Sequence, residues 1–443
     1  MASPQSAPTH WAQILRHVGP GLILTASIVG SGELIVTPKL AGETGFKLLW
    51  LIVLGCVIKV FVQIELGRYA VATGKTTLEA LDSIPGPRFV VSWLLWLWLG
   101  MYVAIVFQVA GIVGGIAEVF SSAGVGLDKK FIAIAVGASC AVLLAIGRYR
   151  LVENASTAMV VAFTLATIIA VGSLQWSPYA ISGAQIAEGF TFSLPENFMT
   201  AFGAFGIIGV GASELIYYPY WCLEKGYAVN VGVNDGSPAW TERAKGWMRV
   251  MRTDAWVSMV IYTTATVAFY LLGAAVLYAK GLKVTDKGLI DTLAHMYRES
   301  FGQWSFYAFL IGAFFVLYST AFVATASNAR LLVDGLALFK VIKLNTPEDR
   351  VKAIKLWVCL LPAISVGMFM VWEKPVTLVF VGAIGQGIML PFLAGAALYF
   401  RHQRTPPELQ PGTAWTAGVW VSAFSMAAAG IYQVVSSVME KLK

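Results

Sequence analysis

The sequence predicts an all-α integral membrane protein of about eleven transmembrane helices, arranged as two inverted repeats of five helices and one additional helix. The 443 residues are 58% hydrophobic and only 12% charged, about half the charged fraction of a soluble protein. Apolar runs of about 20 residues, long enough to cross a bilayer, recur from end to end of the chain. One interrupted apolar segment also recurs at matching places in the two halves.

The recurring segment is 29–38, Val-Gly-Ser-Gly-Glu-Leu-Ile-Val-Thr-Pro, which matches 210–219, Val-Gly-Ala-Ser-Glu-Leu-Ile-Tyr-Tyr-Pro. In both copies small residues that loosen a helix precede a glutamate, and a proline without a backbone donor follows. A carboxylate at that depth is costly unless it faces a cavity or a partner. Paired interrupted helices are typical of the binding site of a secondary transporter. The alternative is two kinked helices whose glutamates, Glu33 and Glu214, form structural ion pairs.

The predicted helices divide the chain into an N-terminus (1–17), a first repeat (18–175), a second repeat (195–400) and an eleventh helix (413–438). An odd number of helices in each repeat gives the two repeats opposite orientations. The predicted spans are 18–43 (broken near Gly30), 46–72, 92–120, 130–147, 155–175, 195–223 (broken near Gly211), 252–279, 303–328, 352–372, 375–400 and 413–438. Broken helices favour alternating access over the open pore of a channel.

Loop charges predict a cytoplasmic N-terminus in an inner or plasma membrane. Loop 175–194 has no Lys or Arg, whereas 224–251 is basic, as expected for an outer and an inner loop respectively. Lys280, Lys283 and Lys287 oppose this assignment, because they fall in a loop predicted to be outside. The net charge of +7 lies largely in such loops, so the expected partner is the lipid bilayer and not nucleic acid. The sequence predicts no oligomeric state.

No motif of an enzyme occurs in the sequence. HExxH, GxSxG and CxxC are all absent, so neither a metalloprotease, a serine hydrolase nor a redox site is predicted. The four cysteines lie far apart without metal-ligand or disulfide spacing. We expect a protein that is not an enzyme and has no resident cofactor, with Na⁺ or H⁺ as a coupling ion.

The order of motifs resembles the Nramp family of proton-coupled divalent-metal transporters, and this resemblance implies the leucine-transporter-like fold. It runs through essentially the whole chain, and the match at the end of the second helix is the most specific. The matching residues are Gly19-Pro20-Gly21, Thr37, Ala41-Gly42, Gly45-Phe46, Leu48-Leu49-Trp50, Gln63, Leu66-Gly67, Ala72-Thr73-Gly74-Lys75, Glu79, 148–153 and Leu390-Pro391-Phe392.

The departures from the family fall at the site itself. Where the family has Asp-Pro-Gly-Asn, this chain has Gly30-Ser31-Gly32-Glu33, so Gly30 takes the place of the metal-binding aspartate. Where the family has Met-Pro-His, this chain has Ala212-Ser213-Glu214, directly after Gly211. The loss of these ligands argues against manganese and iron as substrates. The candidate substrate-binding set is Gly30, Ser31, Gly32, Glu33, Gly211, Ala212, Ser213, Glu214, Tyr217, Gln108 and Gln386.

Two substrate classes follow from these residues. The Gly30-Ser31-Gly32 stretch also resembles the first helix of amino-acid permeases of the same fold, which implies binding of bicarbonate, a carboxylate or an amino acid by backbone amides. The coupling ion would then be Na⁺ at Ser319 and Thr320, or H⁺ on Glu33 or Glu214. The alternative is a hard divalent cation such as Mg²⁺, with Glu33 and Glu214 as metal ligands, as in magnesium-transporting relatives of Nramp.

Lys59 is the remaining candidate. It lies deep in the second predicted helix, where a lysine needs a partner or a cavity.

Overall fold

The computed structural model describes residues 4–147, 149–195, 198–302 and 304–441, without the side chains of 149–157, 159, 299–301 and 433–441. Over these residues the regular secondary structure is helical apart from one short antiparallel pairing of β1 (Arg88–Phe89) with β2 (Val91–Ser92). Within the described part of the chain, ten helices are long and apolar enough to cross a membrane, and a shorter apolar helix covers Val160–Trp176. The prediction of a multi-pass helical protein with about eleven spans is therefore confirmed.

The helices follow the predicted order. They are α1 (Trp11–His17), α2 (Pro20–Ile28), α3 (Thr37–Thr44), α4 (Leu49–Thr73), α5 (Thr77–Asp82), α6 (Trp93–Ser122), α7 (Lys129–Ile146), α8 (Tyr149–Ser173), α9 (Gly183–Glu188), α10 (Phe198–Ile207), α11 (Ala212–Glu224), α12 (Tyr227–Val231), α13 (Pro238–Leu272), α14 (Leu289–Phe301), α15 (Ser305–Leu338), α16 (Pro347–Val371), α17 (Pro375–Gln403) and α18 (Thr413–Lys441).

Both predicted interruptions are present. The first spanning helix consists of α2, a break at 29–31, a π-helical turn at Gly32–Val36, and α3. The sixth consists of α10, a break at 208–211, and α11. We call these segments the first break and the second break. Gly209 in the second break has a φ of +64°, a left-handed conformation that glycine adopts without steric cost.

Two helices extend beyond the predicted bounds. The seventh spanning helix, α13, begins at Pro238 rather than near 252, and the eighth, α15, continues to Leu338 rather than 328. The Ser237 side chain caps α13 by accepting a hydrogen bond from the Trp240 N–H, and Pro238 follows at the first turn. Hydropathy detects only the apolar part of such a helix. Arg148, at the start of the 148–153 motif, lies outside the described residues.

Helix packing places both breaks at the centre of the bundle. Helix α2 packs against α11, α13 and α15, while α10 and α11 pack against α4 and α17. Helix α6 packs along α17 and closes another side of the core. The site is therefore enclosed by helices from both repeats.

Candidate functional site

Gly30 in the first break packs directly against α15. A Cβ atom at Gly30 would overlap the hydroxyl oxygen of Thr320. Thr320 Oγ1 lies 3.3 Å from the Ser27 carbonyl of α2 and 3.0 Å from the Val316 carbonyl of its own helix. Because Thr320 fills this space, the position that matches the Nramp aspartate has no room for a side chain in this conformation.

Ser319 makes a parallel pair of contacts. Its hydroxyl lies 3.2 Å from the Ala26 carbonyl and 2.9 Å from the Val316 carbonyl. Ser319 and Thr320, the predicted sodium ligands, thus lie beside the last carbonyls of α2. A hydroxyl that bonds its own helix in this way is common in membrane helices, so their role in ion binding stays a prediction.

Glu33 is fully buried, with 0% of its surface exposed. Its Oε1 accepts from the Gly209 N–H at 3.4 Å and lies 2.9 Å from the Thr266 hydroxyl of α13, which also lies 2.7 Å from the Tyr262 carbonyl. Its Oε2 accepts from the Gly30 N–H at 3.4 Å. The carboxyl group therefore joins the two breaks to each other and to α13.

Glu214 has different partners, although it occupies the equivalent place in the second repeat. Its Oε2 accepts from the adjacent Ser213 hydroxyl at 2.7 Å, and its Oε1 accepts from the Ser27 hydroxyl at 3.4 Å. Glu214 retains 8% exposure. It lies in the first turn of α11, where the N-terminal end of a helix favours negative charge.

Four further side chains connect the breaks to α6 and α17. The Ser213 N–H and hydroxyl lie 3.0 Å and 2.8 Å from Gln386 Oε1, and Gln386 Nε2 donates to Gln108 Oε1 at 2.8 Å. Gln108 Nε2 in turn donates to the Ser31 hydroxyl oxygen at 3.3 Å. Together with Ser27 and Glu214 these residues form a continuous hydrogen-bonded set, which we call the central polar cluster: Ser27, Ser31, Gln108, Ser213, Glu214 and Gln386.

The structure brings together most, but not all, of the predicted site. Gly211 is the last residue of the second break, and Gly32 and Ala212 directly follow the first and second breaks. Tyr217 instead donates to Asn328 Oδ1 of α15 at 2.8 Å, and Glu33 has the separate partners given above. No residue that the structure describes is a hydrogen-bond partner of both Glu33 and Glu214. Among the described residues, no group of three or more His, Cys, Asp or Glu side chains is placed to hold a metal ion.

Lys59 of α4 is fully buried beside the second break. Its ammonium donates to the Phe205 carbonyl and, at 2.8 Å, to the Ile208 carbonyl. Lys59 Nζ lies 4.9 Å from the centroid of the Phe205 ring. It is also close enough to interact electrostatically with both Glu33 and Glu214.

Three polar residues of the site were absent from the predicted set. Ser27 contacts Glu214, Thr266 contacts Glu33, and Asn328 contacts Tyr217. Each is an isolated polar residue in an apolar helix, and such residues usually bond their own backbone. No sequence signal separates these three from the other Ser, Thr and Asn residues of the spans.

These features define a class of protein. Two interrupted helices at corresponding places of inverted five-helix repeats, with a buried polar cluster between them, are the architecture of a secondary transporter with the leucine-transporter-like fold. The chain belongs to the Nramp family, since the family model described as "Natural resistance-associated macrophage protein-like" matches residues 21–436.

Individual relatives agree with this assignment. The chain is 24% identical over 333 residues to the "Divalent metal cation transporter MntH" of Bacillus subtilis, covering 74% of this chain and 72% of that protein. A solved structure of the Eremococcus coleocola manganese transporter superposes with a TM-score of 0.69 at 13% identity, covering 98% of this chain and 90% of the other. Mhp1, a nucleobase-cation-symport-1 family transporter, gives 0.58 at 14% identity, covering 97% and 95%. The fold is thus shared beyond the family.

Proposed function

We propose that this transporter carries a small oxyanion or carboxylate-bearing solute, such as bicarbonate, together with a proton bound to Glu214. The observation that carries this proposal is the contact between Gly30 and Thr320. The family's aspartate position is a glycine in this chain, and Thr320 fills the space that a side chain would need. Glu214 is therefore the one carboxylate of the central polar cluster. A single carboxylate is a poor basis for selecting a divalent transition metal.

The charges near the site point in the same direction. Lys59 interacts electrostatically with Glu33 and Glu214, and its positive charge offsets one of the two carboxylates. The protonation of Glu214 then decides the net charge of the region. Protonation of Glu214 makes the region less negative, and the protonated carboxyl group can donate a hydrogen bond to an anion.

The central polar cluster is rich in hydrogen-bond donors. It contains the hydroxyls of Ser27, Ser31 and Ser213 and the amide groups of Gln108 and Gln386. The first turns that follow the two breaks add backbone N–H groups at the positive ends of half-helices. Such groups bind a small planar anion without a basic side chain.

A cavity at the predicted outer face is bordered by basic side chains. It has a volume of about 600 Å³ and is lined by Lys47 and Lys283, with one acidic residue, Glu43, which pairs with Lys39 at 2.6 Å. The cavity lies at the far end of α3, about 15 Å along that half-helix from Glu33. Its excess of positive charge attracts anions and repels divalent cations.

Coupling to a proton removes an electrical cost. Moving one anion into a cell against an inside-negative potential costs about 2.3 kcal/mol per 100 mV. An anion that travels with one proton carries no net charge, and its uptake is then driven by the proton gradient. A sodium ion at Ser319 and Thr320 would have the same electrical effect, so a sodium gradient has to be tested beside a proton gradient.

A hard divalent cation such as Mg²⁺ is the second candidate. It is favoured by the names of the relatives, which are metal transporters, and by the oxygen atoms of Glu214, Gln108 and Gln386, which suit a hard cation. In this case Glu214 would be a metal ligand, and Gln108 and Gln386 would coordinate through their carbonyl oxygens.

Flux in proteoliposomes distinguishes the two candidates. Bicarbonate, a panel of small carboxylates, Mg²⁺ and Mn²⁺ are offered separately, with an inward proton gradient, an inward sodium gradient, or neither. We expect uptake of an anion that is accelerated by the proton gradient and indifferent to sodium, with no uptake of either metal.

Two results would contradict this proposal. Uptake of Mg²⁺ or Mn²⁺ without anion uptake would favour the second candidate, with Glu214 as a ligand. Anion uptake that follows sodium and ignores protons would move the coupling site to Ser319 and Thr320. Protein-free liposomes serve as the control for leakage of the protonated acids.

A further inference from the structure

The second break contains a rearranged set of backbone hydrogen bonds. In a continuous helix the Gly209 N–H would donate to the Phe205 carbonyl, four residues earlier. Here Gly209 has a φ of +64°, and its N–H points instead to Glu33 Oε1 at 3.4 Å. The freed Phe205 carbonyl, together with the Ile208 carbonyl, accepts from the Lys59 ammonium.

Lys59, a residue of α4, therefore supplies hydrogen-bond donors to the carbonyl end of the half-helix α10. The final carbonyls of α10 have no intrahelical partners and form the negative end of the helix dipole. In transporters with broken helices, such half-helix ends and unwound carbonyls coordinate a coupling cation. The Lys59 ammonium occupies this position with a positive charge that is covalently attached to α4.

Helix α4 packs closely against the second break. A Cβ at Gly209 would lie 2.9 Å from Cys56 Sγ and 3.2 Å from Cys56 Cα, and a Cβ at Gly55 would lie 3.4 Å from the Phe205 ring. Gly55, Cys56 and Lys59 thus form one face of α4 that packs against the break. The lysine is fully buried there, and its ammonium donates to carbonyls rather than to a carboxylate.

We propose that the Lys59 ammonium replaces a monovalent coupling cation. Because this positive charge is covalently attached to α4, it fixes the second break in its unwound shape without a bound ion. The cradle formed by the Phe205 and Ile208 carbonyls is then a latent cation site, filled by the ammonium in this protein. Removal of the ammonium leaves two buried carbonyls without a donor, and a sodium ion can take its place. Lys59 is a positioning residue in this proposal, since it acts on the substrate site through the break.

The test is the thermal stability of the purified full-length protein in detergent, with Na⁺ replaced by N-methylglucamine at constant ionic strength. In Lys59→Met we expect the melting temperature without sodium to fall by about 5 °C, the effect of losing charged hydrogen bonds. We expect sodium to restore at least half of this loss in a saturable manner. The wild-type melting temperature should be unchanged by the same exchange of cations.

Lys39→Met is the matched control, because Lys39 lies in the first repeat but pairs with a glutamate at its partly exposed position. It should show no sodium response. Sodium binding at Ser319 and Thr320 would affect wild type and Lys59→Met equally, so it would not produce the predicted difference. The readout requires no substrate, and its outcome is independent of the transported species.

Two results would overturn the proposal. One is a Lys59→Met protein whose melting temperature is indifferent to Na⁺, Li⁺ and K⁺; the other is an equal sodium response in wild type. If Lys59→Met does not fold in any salt, Lys59→Gln replaces it, since the neutral amide can still donate to one carbonyl. A Lys59→Gln protein without a sodium response would overturn the proposal in the same way.

Discussion

Glu33 and Glu214 occupy the same place in the two repeated motifs, yet the tertiary structure gives them different surroundings. Glu33 is completely buried and accepts from a threonine hydroxyl and from backbone N–H groups of both breaks. Glu214 keeps a small exposed surface, and its partners are two serine hydroxyls of the central polar cluster.

This difference indicates that the two copies of the motif serve two purposes, one structural and one in proton exchange. A carboxyl group that accepts backbone N–H groups from two unwound segments fixes the shape of those segments, and its loss leaves buried donors without acceptors. A carboxyl group surrounded by hydroxyls can gain or lose a proton with only a rotation of those hydroxyls. We therefore propose a structural role for Glu33 and the coupling role for Glu214.

The largest expected effect is that of Glu214→Gln on coupled transport. The amide keeps the size of the carboxyl group and its contacts with Ser213, but it cannot carry the proton. We expect accumulation driven by a proton gradient to fall at least tenfold, while exchange of labelled for unlabelled substrate continues and the melting temperature stays near that of wild type. Retained proton-driven accumulation would show that Glu214 is not the coupling group.

Glu33→Gln should mainly lower stability. Its amide replaces one carboxyl oxygen by an NH₂ group, so either the Gly30 N–H or the Gly209 N–H with Thr266 faces another donor. We expect a loss of about 3 kcal/mol in the free energy of unfolding, measured as a lower melting temperature. Proton dependence should persist in the protein that folds. A stable Glu33→Gln protein that has lost proton coupling would reverse the two assignments.

Thr266→Val should have the smallest effect. It preserves the shape of the side chain and removes the hydroxyl that lies 2.9 Å from Glu33 Oε1 and 2.7 Å from the Tyr262 carbonyl of its own helix, a change worth about 1 kcal/mol. Thr264→Val is the matched control, since Thr264 lies on the exposed side of the same helix and its hydroxyl likewise bonds its own backbone, at the Val260 carbonyl, at 2.8 Å. Equal melting temperatures for the two variants would show that the contact between Thr266 and Glu33 does not stabilise the protein.

Parts of the site could be predicted because they leave a local signal. The repeated small residues, glutamate and proline predicted both interrupted helices, and the candidate substrate-binding set included Gln108 and Gln386. Lys59 stood out because a lysine is unusual so deep in an apolar span. In each case the signal was a residue type that a continuous helix in a bilayer disfavours.

The sequence by itself determined the membrane helices, the two breaks and the membership of the Nramp family. These features depend on the length of apolar runs and on residue types that are close together in the chain. Only the tertiary structure decided that Thr320 fills the space beside Gly30, that Lys59 binds the carbonyls of α10, and that Glu33 is buried while Glu214 joins the central polar cluster. Those outcomes depend on contacts between α2, α4, α10, α13 and α15, which are distant in the chain. The same short motif therefore acquires different properties in the two repeats according to the helices that pack against it.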